Sequence, residues 1–302
     1  MSTQTQTEQI SFWQAPGLFA EDVTRVRDFS MPVRHFHESV ELYFLLEGER
    51  YYFIEQDTWH VKAGMAVLIA SNQIHKTSLV PGCSVHRRFL LQLSPALAGR
   101  LCALADIREI EALSGAVAFS ADSWTMARHI IGQMEKELAS PTAESSPMLD
   151  SYALQLLLLF ARSRREEAGL PAARSADAVR SDSGVHRTVH EIVLYLQAHC
   201  CEPCRLDSLA ARFYISTPYL TRIFKSVTGF TVVEYLTVCR LRRARRLLLD
   251  TTLPVTEVAA RSGFGNLNYF EKMFKRFTNQ TPLKFRQSGS SGNGKAEDFP
   301  HP

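Results

Sequence analysis

The feature that most constrains this 302-residue sequence is that one stretch of it occurs twice. Leu209-Ala210-Ala211-Arg212 returns 49 residues later as Val258-Ala259-Ala260-Arg261. Tyr219-Leu220, Arg222, Phe224-Lys225, Thr228 and Thr231 return 50 residues later as Tyr269-Phe270, Lys272, Phe274-Lys275, Thr278 and Thr281. The offset slips by one between the two blocks, where a turn tolerates an insertion. A self-similar block of this length marks one supersecondary unit used twice.

Each copy reads as helix, tight turn, helix. In the first, 206–213 is a short helix with Ala210 at a close crossing, and Ser216 or Thr217 caps the next helix ahead of Pro218. In the second, 255–262 runs into Gly263-Phe264-Gly265, with Asn266 as the cap. The second helices turn Leu220, Ile223 and Phe224, and Phe270, Met273 and Phe274, inward. A helix-turn-helix lays its second helix in the major groove of double-stranded DNA, where outward side chains near its start meet base edges. Those are Thr221, Arg222, Asn268 and Lys272, with Asn266 at the helix start; Lys225, Lys275 and Arg276 lie farther along and suit phosphates.

Charge agrees with a polyanionic partner. Residues 185–287 carry a net +9, while the whole chain carries only +3. Each phosphate neutralised by such a segment releases condensed counterions. The copies are joined by 232–249, a helix about 27 Å long in which Leu236, Leu241, Ala244, Leu247 and Leu248 face inward among Arg240, Arg242, Arg243, Arg245 and Arg246. Its arginines read equally well as solvated or as facing DNA.

The N-terminal half has a different grammar. Aromatic and β-branched residues punctuated by turns predict strands at 23–29, 41–46, 50–55, 66–70, 76–80 and 85–93, a small antiparallel barrel or sandwich. From Ser123 the period becomes helical, and a second helix over 148–165 is so apolar that it either packs under the barrel or joins two subunits. The predicted organisation is a flexible 1–19, a sensing and dimerisation domain at 20–165, a linker at 166–184, a DNA-binding domain at 185–287 and a disordered tail at 288–302. The fold class is thus multidomain: an all-β barrel with appended helices, then an all-α double helix-turn-helix domain. Residues 1–10 lack the character of a signal peptide and no apolar run reaches the roughly 18 residues of a membrane span, so a cytoplasmic location with no membrane partner is expected.

The C-terminal residues resemble the AraC/XylS family of transcription regulators. The resemblance is carried by Ala259, Gly263-Phe264, Tyr269-Phe270, Phe274-Lys275, Thr281-Pro282 and Phe285-Arg286, with Asn279 where the family usually has Gly. Asn is the residue that best tolerates the same left-handed turn. The N-terminal half resembles that family's cupin-like sensor: His35, His37, Glu41 and Gly48 match the first cupin motif, and Gly64 and His75 resemble the second. Phe29 stands where the leading Gly would be, and the second motif's Pro-x-Gly is missing. The resemblance implies a small-molecule effector, contact with RNA polymerase, and activation more often than repression, while the apolar helices predict a homodimer formed through 124–165.

His35, His37, Glu41, Tyr43 and His75 are the candidate effector-binding residues. His35, His37, Glu41 and His75 also have the composition of a three-histidine, one-carboxylate metal site, which would suit a metal-dependent cupin enzyme fused to a DNA-binding domain. The preferred reading is a non-enzymatic sensor with no metal and no cofactor, since its second motif is degraded and the attached module needs only binding. The six cysteines form no disulfide framework, and His199-Cys200-Cys201-Glu202-Pro203-Cys204 is too cramped for a regular zinc site, leaving packed thiols at a helix end.

Overall fold

The computed structural model describes residues 9–25, 38–80, 82–83, 85–168, 184–278 and 280–290. His35, His37, Phe29 and Asn279 lie outside the described residues. So do most of the expected linker and the end of the expected tail. The chain divides into two compact units, 1–182 and 183–302.

The first unit is β-rich, in two antiparallel sheets. Strands β1 (Gln9–Ala15), β2 (Leu18–Arg25), β3 (Val40–Glu47), β6 (Met65–Ile69), β8 (His86–Leu93) and β9 (Gly115–Ala118) form a six-stranded sheet in the order β1-β2-β8-β3-β6-β9. Strands β4 (Glu49–Ile54), β5 (Asp57–Lys62) and β7 (His75–Leu79) form the other, in the order β5-β4-β7.

Alternation along β3 explains why nearly all of it is buried. Leu42 and Phe44 point to one side and join Leu68, Phe89 and Leu91 in a core covered by helices. Tyr43 and Leu45 point to the other and meet Tyr52, Trp59 and Val61 of the smaller sheet. A strand buried on both faces needs apolar residues at consecutive positions, and 42–45 supplies them.

Helices α1 (Pro95–Leu104), α2 (Ala121–Ala139) and α3 (Ser145–Ala168) cover the outer face of the large sheet. Leu149, Ala153, Leu156, Leu157, Leu159 and Phe160 of α3 are all buried there, so most of its apolar face is used within the chain, with Met148 left exposed.

Two expectations at the N-terminal end need correction. Residues 1–19 were expected to be flexible, yet 9–15 form β1, paired with β2 from Gln9↔Thr24 to Ala15↔Leu18. The two-residue connection is Pro16-Gly17, with Gly17 at φ 74°, the combination that favours a type II turn. Strand β5 was not foreseen: its turn, Glu55-Gln56, contains no glycine, and Glu55 itself takes φ 56°. At the two inter-element ends, α3 runs on to Ala168 into the expected linker, and the last helix runs on to Ser290 into the expected tail.

The second unit is all-helical: α4 (Gly184–Ala198), α5 (Leu206–Arg212), α6 (Thr217–Thr228), α7 (Val232–Asp250), α8 (Val255–Arg261), α9 (Leu267–Thr278) and α10 (Pro282–Ser290). α5–α6 and α8–α9 are the two copies of the repeat, and the duplication extends to hydrogen bonds. In the first turn Tyr214 N donates to Ala211 O at 3.1 Å and Ile215 N to Ala210 O at 3.1 Å. In the second Gly263 N donates to Ala260 O at 3.0 Å and Phe264 N to Ala259 O at 3.0 Å. Thr228 Oγ1 donates to Phe224 O at 2.7 Å, and Thr278 Oγ1 to Phe274 O at 2.8 Å.

Candidate nucleic-acid interface and sensor interior

Each recognition helix is set by its cap and its buried stripe. Ser216 Oγ accepts from Tyr219 N at 3.4 Å at the start of α6, and Asn266 Oδ1 accepts from Tyr269 N at 2.9 Å at the start of α9, satisfying amides that the helix cannot. Leu220, Ile223 and Phe224, and Phe270 and Phe274, are buried, which fixes the rotation of each helix. Thr221, Arg222, Lys225, Asn266, Asn268, Lys272, Lys275 and Arg276 are all exposed. In the first copy of the repeat Thr217, Pro218, Thr221, Arg222, Lys225 and Ser226 line one open concave surface.

Local contacts distinguish these side chains. Thr221 Oγ1 donates back to Thr217 O at 2.9 Å, so its methyl is the group left to present. The Arg222 guanidinium lies 5.2 Å from the Tyr219 ring centroid, a cation–π contact that orders it without using its hydrogen-bond donors. Sequence reasoning passed over Glu271, which is exposed on α9 at the place equivalent to Thr221. The signal was available, because the repeat itself aligns the two positions.

Three of the α7 arginines, Arg240, Arg243 and Arg245, are engaged within the chain, while Arg246 is exposed. Arg240 Nε donates to Cys200 O at 2.7 Å and its NH2 to Glu202 O at 2.9 Å, taking carbonyls just beyond α4. Arg243 Nε donates to Arg261 O at 3.2 Å at the end of α8, and Arg245 lies 5.0 Å over the buried Phe285 ring. Cations placed on orphan carbonyls at helix ends tie the segment after α4 and the end of α8 to α7. Burial, then the neighbouring Cys201, push the Cys200 thiol up to about 11, which keeps it a packed thiol rather than a reactive thiolate.

In the first unit the space between the sheets holds a buried polar row. At one end Tyr52 Oη donates to Glu41 Oε1 at 3.0 Å, Gln92 Nε2 donates to Glu41 Oε2 at 3.3 Å, and His75 Nε2 lies 3.9 Å from Glu41 Oε2. His75 Nδ1 is 3.0 Å from the Gln73 carbonyl, which can only accept, so the proton sits on Nδ1. Burial and the Glu41 carboxylate hold the Tyr52 phenol well above its ordinary value, keeping it a donor. The Tyr43 and Tyr52 rings meet edge to face with centroids 5.1 Å apart.

At the other end stand Arg50 and Arg88. Arg50 NH2 donates to Thr77 Oγ1 at 3.1 Å, and Arg88 NH2 donates to Glu21 Oε2 at 2.9 Å. Arg88 lies 5.9 Å from the Tyr43 ring centroid. Of the candidate effector residues, the structure thus brings Glu41, Tyr43 and His75 together. It adds Tyr52, Gln92, Arg50 and Arg88, which sequence reasoning missed because buried arginines run against the usual partition. Among the described residues no group of three or more His, Cys, Asp or Glu side chains stands close enough to hold a metal.

This combination, a cupin-like β domain with a polar interior and a helical unit built from two helix-turn-helix copies, defines a ligand-binding domain coupled to a DNA-binding type of domain. Residues 23–158 match the AraC-like ligand binding domain and residues 209–288 match a helix-turn-helix domain family. The chain belongs to the AraC/XylS family.

Among its relatives, the HTH-type transcriptional activator RhaR of Cronobacter sakazakii is 30% identical over 168 residues, 56% of each chain. The HTH-type transcriptional activator RhaS of Salmonella schwarzengrund is 32% identical over 160 residues, 53% of each chain. The chain therefore spans about half the length of the curated relatives it matches. A transcriptional regulator with an AraC-type DNA-binding domain from Chromobacterium violaceum is 27% identical, over 36% of this chain and 98% of that one, with a TM-score of 0.34. Among the described residues no helix is long and apolar enough to cross a membrane.

Proposed function

We propose that this protein is a sequence-specific, DNA-binding transcription regulator that responds to a small-molecule effector and activates its targets. The observation that carries the reading is the duplicated recognition helix, with both copies capped alike, buried alike and presenting basic outer faces. α7, at 19 residues, is about 28 Å long, close to the ~34 Å between successive major-groove faces, so one chain can address neighbouring turns. Arg222, Asn268, Lys272 and Thr221 read bases, joined by Glu271, whose carboxylate suits the amino group of cytosine. Lys225, Lys275 and Arg276 hold phosphates, and Asn266 serves the helix start with its amide left as a donor. The activating sign is supported by relatives named as activators.

The effector binds between the two sheets against Glu41, Tyr43 and His75, and the protein acts in the cytoplasm without catalysing a reaction. Pairing of two copies and contact with RNA polymerase complete the reading. Binding-site sequencing followed by mobility shift with the full chain tests it. A single recurrent operator, bound with steep salt dependence, is expected. Binding indifferent to sequence would leave only an architectural DNA binder.

A further inference from the structure

The polar row between the sheets has a surplus of donors, and the surplus is concentrated at its arginine end. Tyr43 is only 2% exposed, yet its Oη has no hydrogen-bond partner among the described residues. The same holds for NH1 of Arg88, whose side chain is 11% exposed and whose NH2 is engaged by Glu21. The two groups are neighbours, since Arg88 faces the Tyr43 ring at 5.9 Å. A buried donor left unmade costs the desolvation of that group, so two adjacent ones mark a place where an acceptor belongs.

Among the described residues, the two carboxylates of the row already accept hydrogen bonds from other donors. Glu21 takes Arg88, and Glu41 takes Tyr52 and Gln92. The field at this end is positive. His86, buried at the start of β8, is pushed down to about 3 by burial and by the charges of Arg50, Arg88 and Arg25. Burial also lowers the Arg50 guanidinium.

We infer that the effector is a small carboxylate, bound between the sheets with its oxygens accepting from Tyr43 Oη and Arg88 NH1. The guanidinium offers the charge a carboxylate needs and one unmade donor at NH1, and the flanking phenol completes the pair of donors. The rest of the molecule lies along Tyr52 toward Glu41 and His75, so a hydroxyl or amine on it would meet acceptors at that end. This inference rests on the reading of the β unit as an effector-binding domain.

The test uses the full chain and a panel of probes: acetate, lactate, benzoate and salicylate, each paired with its primary amide, together with neutral hexoses and deoxyhexoses. Melting temperature and calorimetry read binding, and mobility shift with duplex DNA is run in parallel. At least one carboxylate should bind and its amide should not. Tyr43→Phe should weaken that binding by at least about tenfold while leaving the unliganded melting temperature unchanged or higher, because it deletes an unmade buried hydroxyl. Arg88→Lys should keep the charge but lose much of the affinity with the planar edge.

A chain that shifts DNA but binds only the neutral sugars, or none of the panel, loses the carboxylate assignment and keeps the regulator reading. Equal binding of acid and amide, or Tyr43→Phe binding as wild type, overturns the inference as well. A chain that shifts no DNA at all loses the reading on which it rests.

Discussion

Tyr214 and Gly263 occupy the same place in the two helix-turn-helix units, and both hold a left-handed backbone, at φ 55° and φ 86°. The duplicated turn dictates that conformation, while the surroundings decide which residue can bear it. Tyr214 is 96% exposed and its side chain projects freely. At Gly263 a Cβ would meet Cys201 Cα at 2.7 Å, Arg240 Nε at 2.9 Å and Cys200 O at 3.0 Å. The second turn is packed against the segment after α4 and the Arg240 clamp, where the first is open.

Gly263→Ala should therefore cost about 3 kcal/mol or more, from left-handed strain plus a backbone clash. Tyr214→Gly should change stability by less than about 1 kcal/mol, because relief of strain is offset by a more flexible unfolded chain. Urea denaturation of the two variants checks this. Equal costs would mean that the turns are not packed as described.

The duplication was legible in the sequence because each copy carries its own caps, small residues and aromatic pair at fixed offsets. The β unit was less so. Strands β3, β6 and β8 announce themselves by unbroken apolar runs, whereas in β1 Ile10 and Phe12 are 50% and 61% exposed and Trp13 points in, so the apolar residues sit on both sides of an edge strand. The site was legible at Glu41, Tyr43 and His75. Arg50 and Arg88 reach it only through cross-strand register, and register is a property of pairing that a single strand does not display.

Phe160 is fully buried in the core between α3 and the large sheet. Phe160→Ala should destabilise the chain by about 3–5 kcal/mol through the cavity it leaves. Because that contact lies within one chain, the loss in melting temperature should be the same at low and high protein concentration. A loss that vanishes at high concentration would place α3 at an interface between copies.

Glu135 on α2 gives a pH signature. Burial, then the hydrogen bond and charge of Asp22, raise its carboxyl from 4.5 to about 7. Arg87 grips that Asp22 at 2.6 and 3.2 Å. A folded-state pKa above the unfolded value means that the folded chain holds the proton while the unfolded chain has released it. The stabilisation is present below about pH 4.5 and is lost as pH rises through about 7. His86 works in the opposite sense over acidic pH, since its lowered value costs stability as pH falls. Comparison of Glu135→Gln with wild type isolates the carboxyl: the variant should gain on wild type as pH rises from 5 to 8 in denaturation curves. Parallel pH profiles would show that Glu135 is solvated.

The recognition helices should divide the work of reading DNA, because Arg222, Lys272 and Glu271 present different chemistry from matching backbones. Arg222, ordered over Tyr219, can grip one guanine through two hydrogen bonds, so Arg222→Ala should cost about 1–3 kcal/mol on the operator and relax preference at one base pair. Lysine is a flexible point charge, and Lys272→Ala should weaken operator and random DNA alike while lowering the salt slope by roughly one. Glu271 carries a charge that phosphates repel, and only a cytosine amine rewards it. Glu271→Ala should tighten binding to random DNA and loosen discrimination at one position, the reverse of Lys272→Ala. All three side chains are exposed, so the variants should melt with wild type. Affinities across an operator panel at several salt concentrations decide the matter. If Arg222→Ala leaves affinity and base preference intact, α6 is not a reader; if Glu271→Ala leaves selectivity intact, that carboxylate only solvates the face of α9.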